Sequence, residues 1–342
     1  MVSEAPPFWW KKADWRAAVL SPFSAAYAAL ARRNLLNATR EKIAAPVLCV
    51  GNLTVGGAGK TPVAIALAVE ARDMGLKPGF LSRGHGGSHS SPHLVDPAHD
   101  RAKHVGDEPL LLARHAPVVV ARNRAAGARL LMEKGCDLLI MDDGFQSARI
   151  HFDYALIVVD ARRGVGNGHT MPGGPLRARL VDQMPYADAV LAVGEGSGAD
   201  HIVRMAARAG KPVFSARQRP LAGSGIAGKR ALAFAGIGDP AKFFATVEEA
   251  GGEIVLKRAF ADHHFYAADE LADLAATARR RGLELATTAK DAVRILDGSA
   301  ANKEFLENVH VVEIDMAFDP DTVPRQIIGD TLRTWRERRL GG

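Results

Sequence analysis

The sequence predicts an α/β protein whose core is a mainly parallel sheet with helices on both faces, preceded by an amphipathic helix and followed by a smaller C-terminal α/β lobe. Two observations predict this class. Short apolar, β-branched segments alternate with helical segments from about residue 46 onward, which is typical of parallel strands that are buried on both faces. A glycine-rich turn, GGAGKT at 56–61, follows the first strand and opens a helix, so strand and helix form one unit.

The predicted elements follow one another in two blocks. The core strands are 46–52, 78–84, 116–122, 136–144, 154–161 and 188–194, and its clearest helices are 60–74, 109–115 and 123–134. The second block has strands at 230–236, 253–260, 283–289 and 309–315, with helices at 240–250 and 268–281. The glycine-rich, basic stretch 217–230 is the predicted connection. We therefore expect an N-terminal helical segment at 1–40, a core at 41–220 and a smaller lobe at 221–342.

The composition is that of a globular protein with a basic balance. Of the 342 residues, 47% are hydrophobic and 24% charged, and the formal net charge is +6. A basic protein favours an anionic partner, whether nucleic acid, phospholipid or a phosphorylated substrate. Cys49 and Cys136 lie in apolar strand segments, so we expect buried thiols in a reducing compartment and neither a disulfide nor a metal pair.

The first forty residues differ from the rest of the chain. Three of the four tryptophans, Trp9, Trp10 and Trp15, lie there among basic residues. The uncharged segment 17–31 is shorter than the roughly 20 apolar residues that a membrane-spanning helix needs, and Pro22 interrupts it. The pattern favours a helix that lies in a membrane interface. A helix packed on the protein's own core is the alternative.

The glycine-rich turn predicts a P-loop NTPase-like nucleotide site. Glycines let backbone N–H groups point at phosphate oxygens. Lys60 can reach the β- and γ-phosphates of ATP, and the Thr61 hydroxyl can bind Mg²⁺. Thr54 replaces the first glycine of the usual G-x-x-x-x-G-K-[ST] pattern. We expect the nucleotide to contact nine consecutive residues: Thr54, Val55, Gly56, Gly57, Ala58, Gly59, Lys60, Thr61 and Pro62.

An acidic motif supports the nucleotide site and narrows its class. Asp142 and Asp143 end an apolar strand, where a Walker-B carboxylate holds Mg²⁺ directly or through water. The nearest match to the N/T-K-x-D string of guanine-selective switches, at 288–291, has its lysine and aspartate adjacent. Val55 stands where a partition-type ATPase has a second lysine. Both classes are therefore disfavoured.

Eight motifs resemble those of a single family in order and spacing. They are VGNLTVGGAGKTP (50–62), SRG (82–84), GDEP (106–109), DDGFQ (142–146), PLR (175–177), FAGIGDPAKFF (234–244), FADHHFY (260–266) and TTAKDAVR (287–294). GDEP, DDGFQ and DHHFY are not general features of P-loop proteins. With them, the sequence resembles the tetraacyldisaccharide 4′-kinases of lipid A synthesis, from the N-terminal helix to about residue 315.

The resemblance implies a kinase that uses ATP and Mg²⁺ to phosphorylate the 4′-hydroxyl of tetraacyldisaccharide 1-phosphate, forming lipid IVA. It implies a peripheral protein on the cytoplasmic face of the inner membrane. Its partners would be the lipid substrate and the inner leaflet, with neither nucleic acid nor an obligate protein partner. A kinase of a soluble sugar or cofactor is one alternative function, and a membrane-recruited nucleotide switch is the other.

The resemblance also implies roles for individual residues. Asp107 resembles the catalytic carboxylate and His263 its partner, with His264 as the rival. A positioned carboxylate can accept the proton of a sugar hydroxyl, and a neighbouring histidine can orient it. The implied catalytic residues are Asp107, His263, Lys60 and Arg177, and those that hold the metal or its waters are Thr61, Glu108, Asp142 and Asp143.

Three positions depart from the family pattern, and one stretch has no assigned role. Ser147 follows DDGFQ where the family commonly has histidine, Ala178 follows PLR where glutamate is frequent, and His85 follows SRG where tyrosine is usual. The polar, His-rich stretch 84–100 could hold a metal, but its irregular spacing favours a mobile loop.

Overall fold

A computed structural model describes residues 5–84, 91–147, 149–296 and 299–341. The strands are β1 (Val47–Gly51), β2 (Pro78–Ser82), β3 (His93–Leu94), β4 (Val118–Val120), β5 (Leu138–Asp142), β6 (Tyr154–Asp160), β7 (Ala189–Val193), β8 (Val213–Pro220), β9 (Arg230–Ala235), β10 (Glu253–Ala259), β11 (Glu284–Thr288), β12 (Val309–Val312) and β13 (Ile314–Asp319). The helices are α1 (Trp15–Val19), α2 (Ser21–Leu36), α3 (Lys60–Asp73), α4 (Ala102–Val105), α5 (Asp107–Ala113), α6 (Arg124–Glu133), α7 (Leu180–Gln183), α8 (Asp200–Arg208), α9 (Pro240–Glu249), α10 (Ala268–Arg281), α11 (Ala289–Ile295), α12 (Ala300–Glu307) and α13 (Val323–Leu340). Short 3₁₀ helices cover Pro7–Trp10 and Met184–Tyr186.

The large sheet has nine strands in the order β13-β8-β7-β6-β1-β5-β2-β4-β3. Its inner strands are parallel, whereas β13 and β3 run antiparallel at the two edges. Alternate residues of β1 enter two cores: Leu48 and Val50 join Leu67 of α3 on one face, and Val47 and Cys49 join Leu131 of α6 on the other. Helices therefore cover both faces, and the predicted fold class is confirmed.

The small sheet has the order β10-β9-β11-β12, and all its pairs are parallel. Phe243 and Val247 of α9 belong to the core on one face. Leu271 and Leu274 of α10 belong to the core on the other face. The small sheet is thus a second α/β layer with its own apolar cores.

The end of the chain departs from the predicted arrangement. The single strand predicted at 309–315 is two strands, β12 in the small sheet and β13 in the large one. Helix α13 then packs against α3, β1 and β6. Residues 221–313 are therefore inserted between β8 and β13, and the segment 314–340 completes the large sheet.

The connection also begins later than expected, since 213–220 is strand β8. The sequence ARQR within β8 has no apolar run because this strand is largely half-buried or exposed. Cys49 and Cys136 are buried free thiols, as predicted. Within the His-rich stretch, His93 and Leu94 form β3, and His85 lies outside the described residues.

The N-terminal segment is anchored on the loop around residue 170. Trp9 is buried, and its Nε1 donates to the carbonyl of Pro172 at 3.0 Å. Ser24 of α2 accepts from the N–H of Gly173 through its side chain, and its carbonyl accepts from Thr170 Oγ1, both at 3.0 Å. One face of the N-terminal helices is therefore part of the protein's own core.

The opposite face of α1 and α2 carries large apolar side chains. Trp15, Val19, Phe23 and Leu30 are 70%, 63%, 66% and 58% exposed, whereas the buried positions are small residues such as Ala28, apart from Leu35 near the end of α2. An ordinary surface helix has the reverse arrangement, with its large apolar side chains inward. In the part of the chain that the structure describes, no helix has the length and apolar character needed to cross a bilayer.

Candidate active site

The predicted phosphate-binding loop joins β1 to α3 at the carboxyl edge of the large sheet. Gly56 and Gly59 have φ angles of +106° and +85°, a backbone region that glycine enters without steric cost. Gly59 is the N-cap of α3 and offers no side-chain cap. The first N–H groups of α3 therefore remain available for an anion.

Seven of the nine predicted nucleotide residues line the cleft in front of this loop: Val55, Gly56, Gly57, Gly59, Lys60, Thr61 and Pro62. The other two, Thr54 and Ala58, are buried behind it. Thr54 forms an antiparallel bridge with Leu176, and the N–H of Val55 donates to the carbonyl of Pro175 at 2.8 Å. The PLR segment thus holds the start of the loop through backbone hydrogen bonds. Thr54 can make this bridge although the usual motif has glycine at its position.

The Asp143 carboxylate forms ion pairs with two basic side chains beside the loop. Lys60 Nζ lies 3.6 Å from its Oδ1, and the Arg177 guanidinium contacts both carboxylate oxygens at 2.9 and 3.0 Å. Burial alone would raise the pKa of Asp143, but the charges of Lys60 and Arg177 lower it to about 2. Asp143 also has a φ of 54°, a strained conformation for a non-glycine residue that is frequent at functional sites.

Asp142 is oriented differently, towards the hydroxyl of Thr61. Thr61 Oγ1 donates to Asp142 Oδ2 at 3.3 Å, whereas Oδ1 is buried without a hydrogen-bond partner. Burial, and then the nearby charge of Glu108, raise the pKa of Asp142. A buried carboxylate with a free oxygen beside a hydroxyl fits a Mg²⁺ ion held mainly by nucleotide phosphates and water. Among the residues the structure describes, no three His, Cys, Asp or Glu side chains form a preassembled metal site.

The cleft is also lined by Asp107, the first residue of α5. Its Oδ2 lies 3.2 Å from His263 Nδ1 and accepts from Arg294 Nε and Nη2 at 2.8 and 2.6 Å. Burial would raise the pKa of Asp107, but the His263 hydrogen bond and the charges of Lys290 and Arg294 hold it well below its usual range. Asp107 is therefore a carboxylate anchored by side chains of the small sheet.

The two neighbouring histidines face different partners. His263 has a φ of 57° and donates its N–H to the carbonyl of Gly236 at 3.1 Å. His264 Nε2 instead contacts Glu270 Oε2 at 2.8 Å, and its ring stacks on Phe260 with centroids 4.9 Å apart. The structure thus brings His263, and not His264, to Asp107.

Glu108 is paired with a lysine from the small sheet. Lys290 Nζ donates to Glu108 Oε1 at 2.6 Å, and this charge is the main cause of the lowered pKa of Glu108. Lys290 and Arg294 were both missed as site residues by the sequence reasoning, although they belong to the quoted TTAKDAVR motif. Their spacing of four on α11 places both on one helical face, which is the signal that could have identified them.

DDGFQ contributes a further residue that the sequence reasoning missed. Gln146 donates to the carbonyl of Asn52 at 2.7 Å and to Gln183 Oε1 at 2.8 Å, so it ties the acidic strand end to the start of the loop. At the positions that depart from the family, Ser147 donates its N–H to the carbonyl of Gly144. Ala178 is fully buried, and its carbonyl accepts from Gln183.

These groups share one cleft of about 1710 Å³ between the two sheets. Its walls include Lys60 of α3, Asp142 of β5, Asp107 of α5 and His263 of the loop after β10, and it extends to Leu30 of α2. The predicted phosphate-binding loop, a carboxylate that fits Mg²⁺ and a second carboxylate in contact with histidine therefore face the same space.

Comparisons with known proteins agree with this geometry. A family profile described as tetraacyldisaccharide-1-P 4′-kinase matches residues 16–332. A Mesorhizobium japonicum protein named tetraacyldisaccharide 4′-kinase is 66% identical over 341 residues, with 99% of each chain covered. A protein of the same name from a Chelativorans species is 56% identical over 338 residues, covering 99% of this chain and 98% of that one.

The fold has a counterpart among solved structures. LpxK from Aquifex aeolicus, solved in complex with ATP, has a TM-score of 0.71 and 24% identity, covering 92% of this chain and 99% of that chain. This likeness concerns the fold, whereas the profile and the two sequence relatives extend over nearly the whole chain. The resemblance inferred from the motifs is therefore confirmed, and the chain belongs to the tetraacyldisaccharide-1-P 4′-kinase family.

Proposed function

We propose that this kinase transfers the γ-phosphoryl group of ATP to the 4′-hydroxyl of tetraacyldisaccharide 1-phosphate, yielding lipid IVA and ADP. One observation carries the proposal: the cleft that contains Lys60, Asp142 and Asp107 also extends to Leu30 of α2. A single space thus joins a nucleotide site and a candidate base to the helix that exposes large apolar side chains. A soluble sugar would not need such an apolar approach.

The loop residues bind and orient the nucleotide. The N–H groups at the start of α3 and the Lys60 ammonium contact the phosphate oxygens. Thr61 and Asp142 would hold Mg²⁺, and Glu108 and Asp143 would order its water ligands. The bound Mg²⁺ would neutralise charge on the phosphates. Arg177, whose guanidinium fork suits phosphate, is held at this edge of the cleft by Asp143.

Asp107 receives the proton of the 4′-hydroxyl. As the sugar oxygen forms its bond to the γ-phosphorus, the bond from phosphorus to the β–γ bridging oxygen breaks and ADP leaves. A carboxylate with a lowered pKa is a weak base, so Asp107 first orients the hydroxyl. It accepts the proton late, when bond formation has made the hydroxyl acidic. His263 keeps this carboxylate in position.

The exposed apolar face of α1 and α2 supports a peripheral location on the cytoplasmic face of the inner membrane. Trp15, Val19 and Phe23 form a row at helical spacing, and each is more than half exposed. A row of this kind inserts to headgroup depth, while neighbouring basic residues attract anionic lipid. The acyl chains of the substrate could then stay in the bilayer while its sugar enters the cleft.

The proposal is tested by incubating the full chain with ATP labelled at the γ-phosphate, Mg²⁺ and purified tetraacyldisaccharide 1-phosphate in mixed micelles. We expect label in a lipid product with one additional phosphate, and no labelled product when the 4′-hydroxyl of the acceptor is replaced by hydrogen. ATP hydrolysis without lipid labelling would contradict the proposal, and so would efficient labelling of soluble monosaccharides.

A further inference from the structure

Arg294 is a buried arginine whose donors meet three different groups. Its side chain is 1% exposed, although it lies at the boundary between the two sheets. Two of its nitrogens donate to Asp107 Oδ2 at 2.8 and 2.6 Å. Its Nη1 donates to the carbonyl of Gly236 at 2.6 Å and to Asp291 Oδ1 at 2.9 Å. The guanidinium therefore links Asp107, which lies beside the large sheet, to Gly236 and Asp291, which lie beside the small sheet.

The Gly236 carbonyl is the point at which Arg294 also reaches His263. This carbonyl accepts the backbone N–H of His263 at 3.1 Å together with the Arg294 Nη1 donor. Because His263 has a φ of 57°, its turn requires such fixed backbone contacts to persist. Arg294 thus bonds to the Asp107 side chain and to the carbonyl that holds the His263 backbone.

The Asp291 carboxylate fixes the orientation of the Arg294 guanidinium, because it is itself held by several hydrogen bonds. Its Oδ1 accepts from Tyr266 at 2.8 Å and from the N–H of Gly236 at 3.0 Å, and its Oδ2 lies 2.6 Å from Thr288 Oγ1. Asp291 is fully buried, so this network has no solvent to replace a lost donor. The orientation of the guanidinium is over-determined by its surroundings.

We infer that Arg294 is the positioning residue of the Asp107–His263 pair, and that it makes Asp107 Oδ1 the oxygen that accepts the substrate proton. Ionised carboxylate oxygens have about two lone-pair sites each. Oδ2 has three nitrogen neighbours, two from Arg294 and one from His263. Oδ1 accepts one N–H, from Glu108 at 2.9 Å. The free acceptor site is therefore on Oδ1. This inference rests on the proposed function.

A lysine at position 294 would keep the positive charge but lose the fork. An ammonium is a single point donor and cannot hold Asp107 and the Gly236 carbonyl in the same geometry. The carboxylate could then rotate, and the Gly236 carbonyl, which accepts the His263 N–H, would lose its Arg294 donor. Turnover should fall while the nucleotide loop, which Arg294 does not contact, keeps its affinity for ATP.

The test compares Arg294→Lys with Arg338→Lys in full-length protein assayed on tetraacyldisaccharide 1-phosphate. Arg338 is a matched control because it also forks onto a buried carboxylate, that of Asp153, at 2.6 and 3.1 Å, and donates to the carbonyl of Ile43. None of these three residues lines the cleft. Both variants are also made with Asp107→Asn, and folding is checked by circular dichroism and ATP binding.

We expect Arg294→Lys to lower kcat by on the order of 10- to 100-fold with little change in the KM for ATP, and Arg338→Lys to leave kcat nearly unchanged. In the Asp107→Asn background, Arg294→Lys should add almost no further loss, because residues that act as a unit are not additive. An Arg294→Lys enzyme of normal kcat overturns this inference alone. Equal losses in both lysine variants, or a full additional loss beside Asp107→Asn, also overturn it. Absence of transfer by the wild type overturns the proposed function as well.

Discussion

His263 Nδ1 lies 3.2 Å from Asp107 Oδ2, and the two residues are 156 positions apart in the chain. Asp107 begins a helix beside the large sheet, whereas His263 lies in a loop after β10 of the small sheet. The contact therefore exists only while the two sheets are packed together. Substitutions in this pair therefore report both on catalysis and on the packing of the two sheets.

The pair can be tested by single and double substitution. Asp107→Ala should lower kcat by on the order of 10²–10⁴, with little change in the KM for ATP, because a positioned base acts on the acceptor and not on nucleotide binding. His263→Ala should also lower kcat, and the double variant should be little worse than Asp107→Ala. His264→Ala is the matched control, since His264 contacts Glu270. A normal kcat for the His263 variant together with a strongly lowered kcat for the His264 variant would show that His264, and not His263, is the catalytic partner of Asp107.

Lys60 provides a separate test of the nucleotide site. Lys60→Ala should abolish phosphoryl transfer, because no other loop side chain can place a positive charge on the phosphates. Its ammonium is 3.6 Å from Asp143, so the melting temperature should be measured alongside activity. Lys242→Ala is a useful control, because this lysine also lines the cleft but pairs with Asp160 and is not part of the loop. Near wild-type transfer by the Lys60 variant would refute the P-loop assignment.

The exposed apolar row predicts membrane attachment. Replacing Trp15, Val19 and Phe23 by serine should shift the protein from vesicles containing anionic lipid to the soluble fraction and raise the apparent KM for micellar lipid. The fold should be unaffected, since all three side chains are exposed. Deleting the segment would be less informative, because Trp9 and Ser24 belong to the protein's own packing.

Leu340→Ser is the control for that experiment, because Leu340 is 88% exposed at the far end of α13. It should leave vesicle binding unchanged. If the triple variant sediments with vesicles as well as the wild type, the apolar row has another purpose and the membrane proposal fails.

The titration of His263 should be visible in stability. Its hydrogen bond to Asp107 raises the pKa of His263 above its ordinary value of 6.5, against the opposing effect of burial. A raised folded-state pKa means that the stabilisation is fully present below about pH 6.5 and is lost as pH rises through the folded value. The urea midpoint of the wild type should therefore exceed that of His263→Gln most at low pH, and the gap should narrow on the alkaline side. A gap that is constant with pH would show that the contact does not depend on a protonated imidazole.

The nucleotide half of the site could be predicted because its signals are local. The loop glycines, Lys60 and Thr61 are consecutive, and Asp142 ends an apolar strand that pairs with β1. Adjacent parallel strands bring their carboxyl ends together, so sequence order alone places these groups at one edge. The Asp107–His263 pair came only from the family resemblance, since nothing local links a helix start to a distant loop.

The remaining site residues depend on tertiary contacts. Arg294 lies on a short helix, and its buried position follows from an ion pair with a residue 187 positions away. The return of the chain to the large sheet was also missed. Val309–Val312 and Ile314–Asp319 are separated by the single residue Glu313, so their sequence reads as one strand although they belong to different sheets.

The insertion of the small sheet between β8 and β13 determines how the protein can be divided. A chain cut after Pro220 would keep the whole phosphate-binding loop but lose β13 and α13, exposing the edge of β8 and the buried positions that surround α3. Unpaired edges and uncovered apolar faces favour aggregation. A soluble minimal nucleotide domain should instead omit 221–313 and join Pro220 to Ile314 through a short turn, because these two residues are already paired across the antiparallel β8–β13 edge.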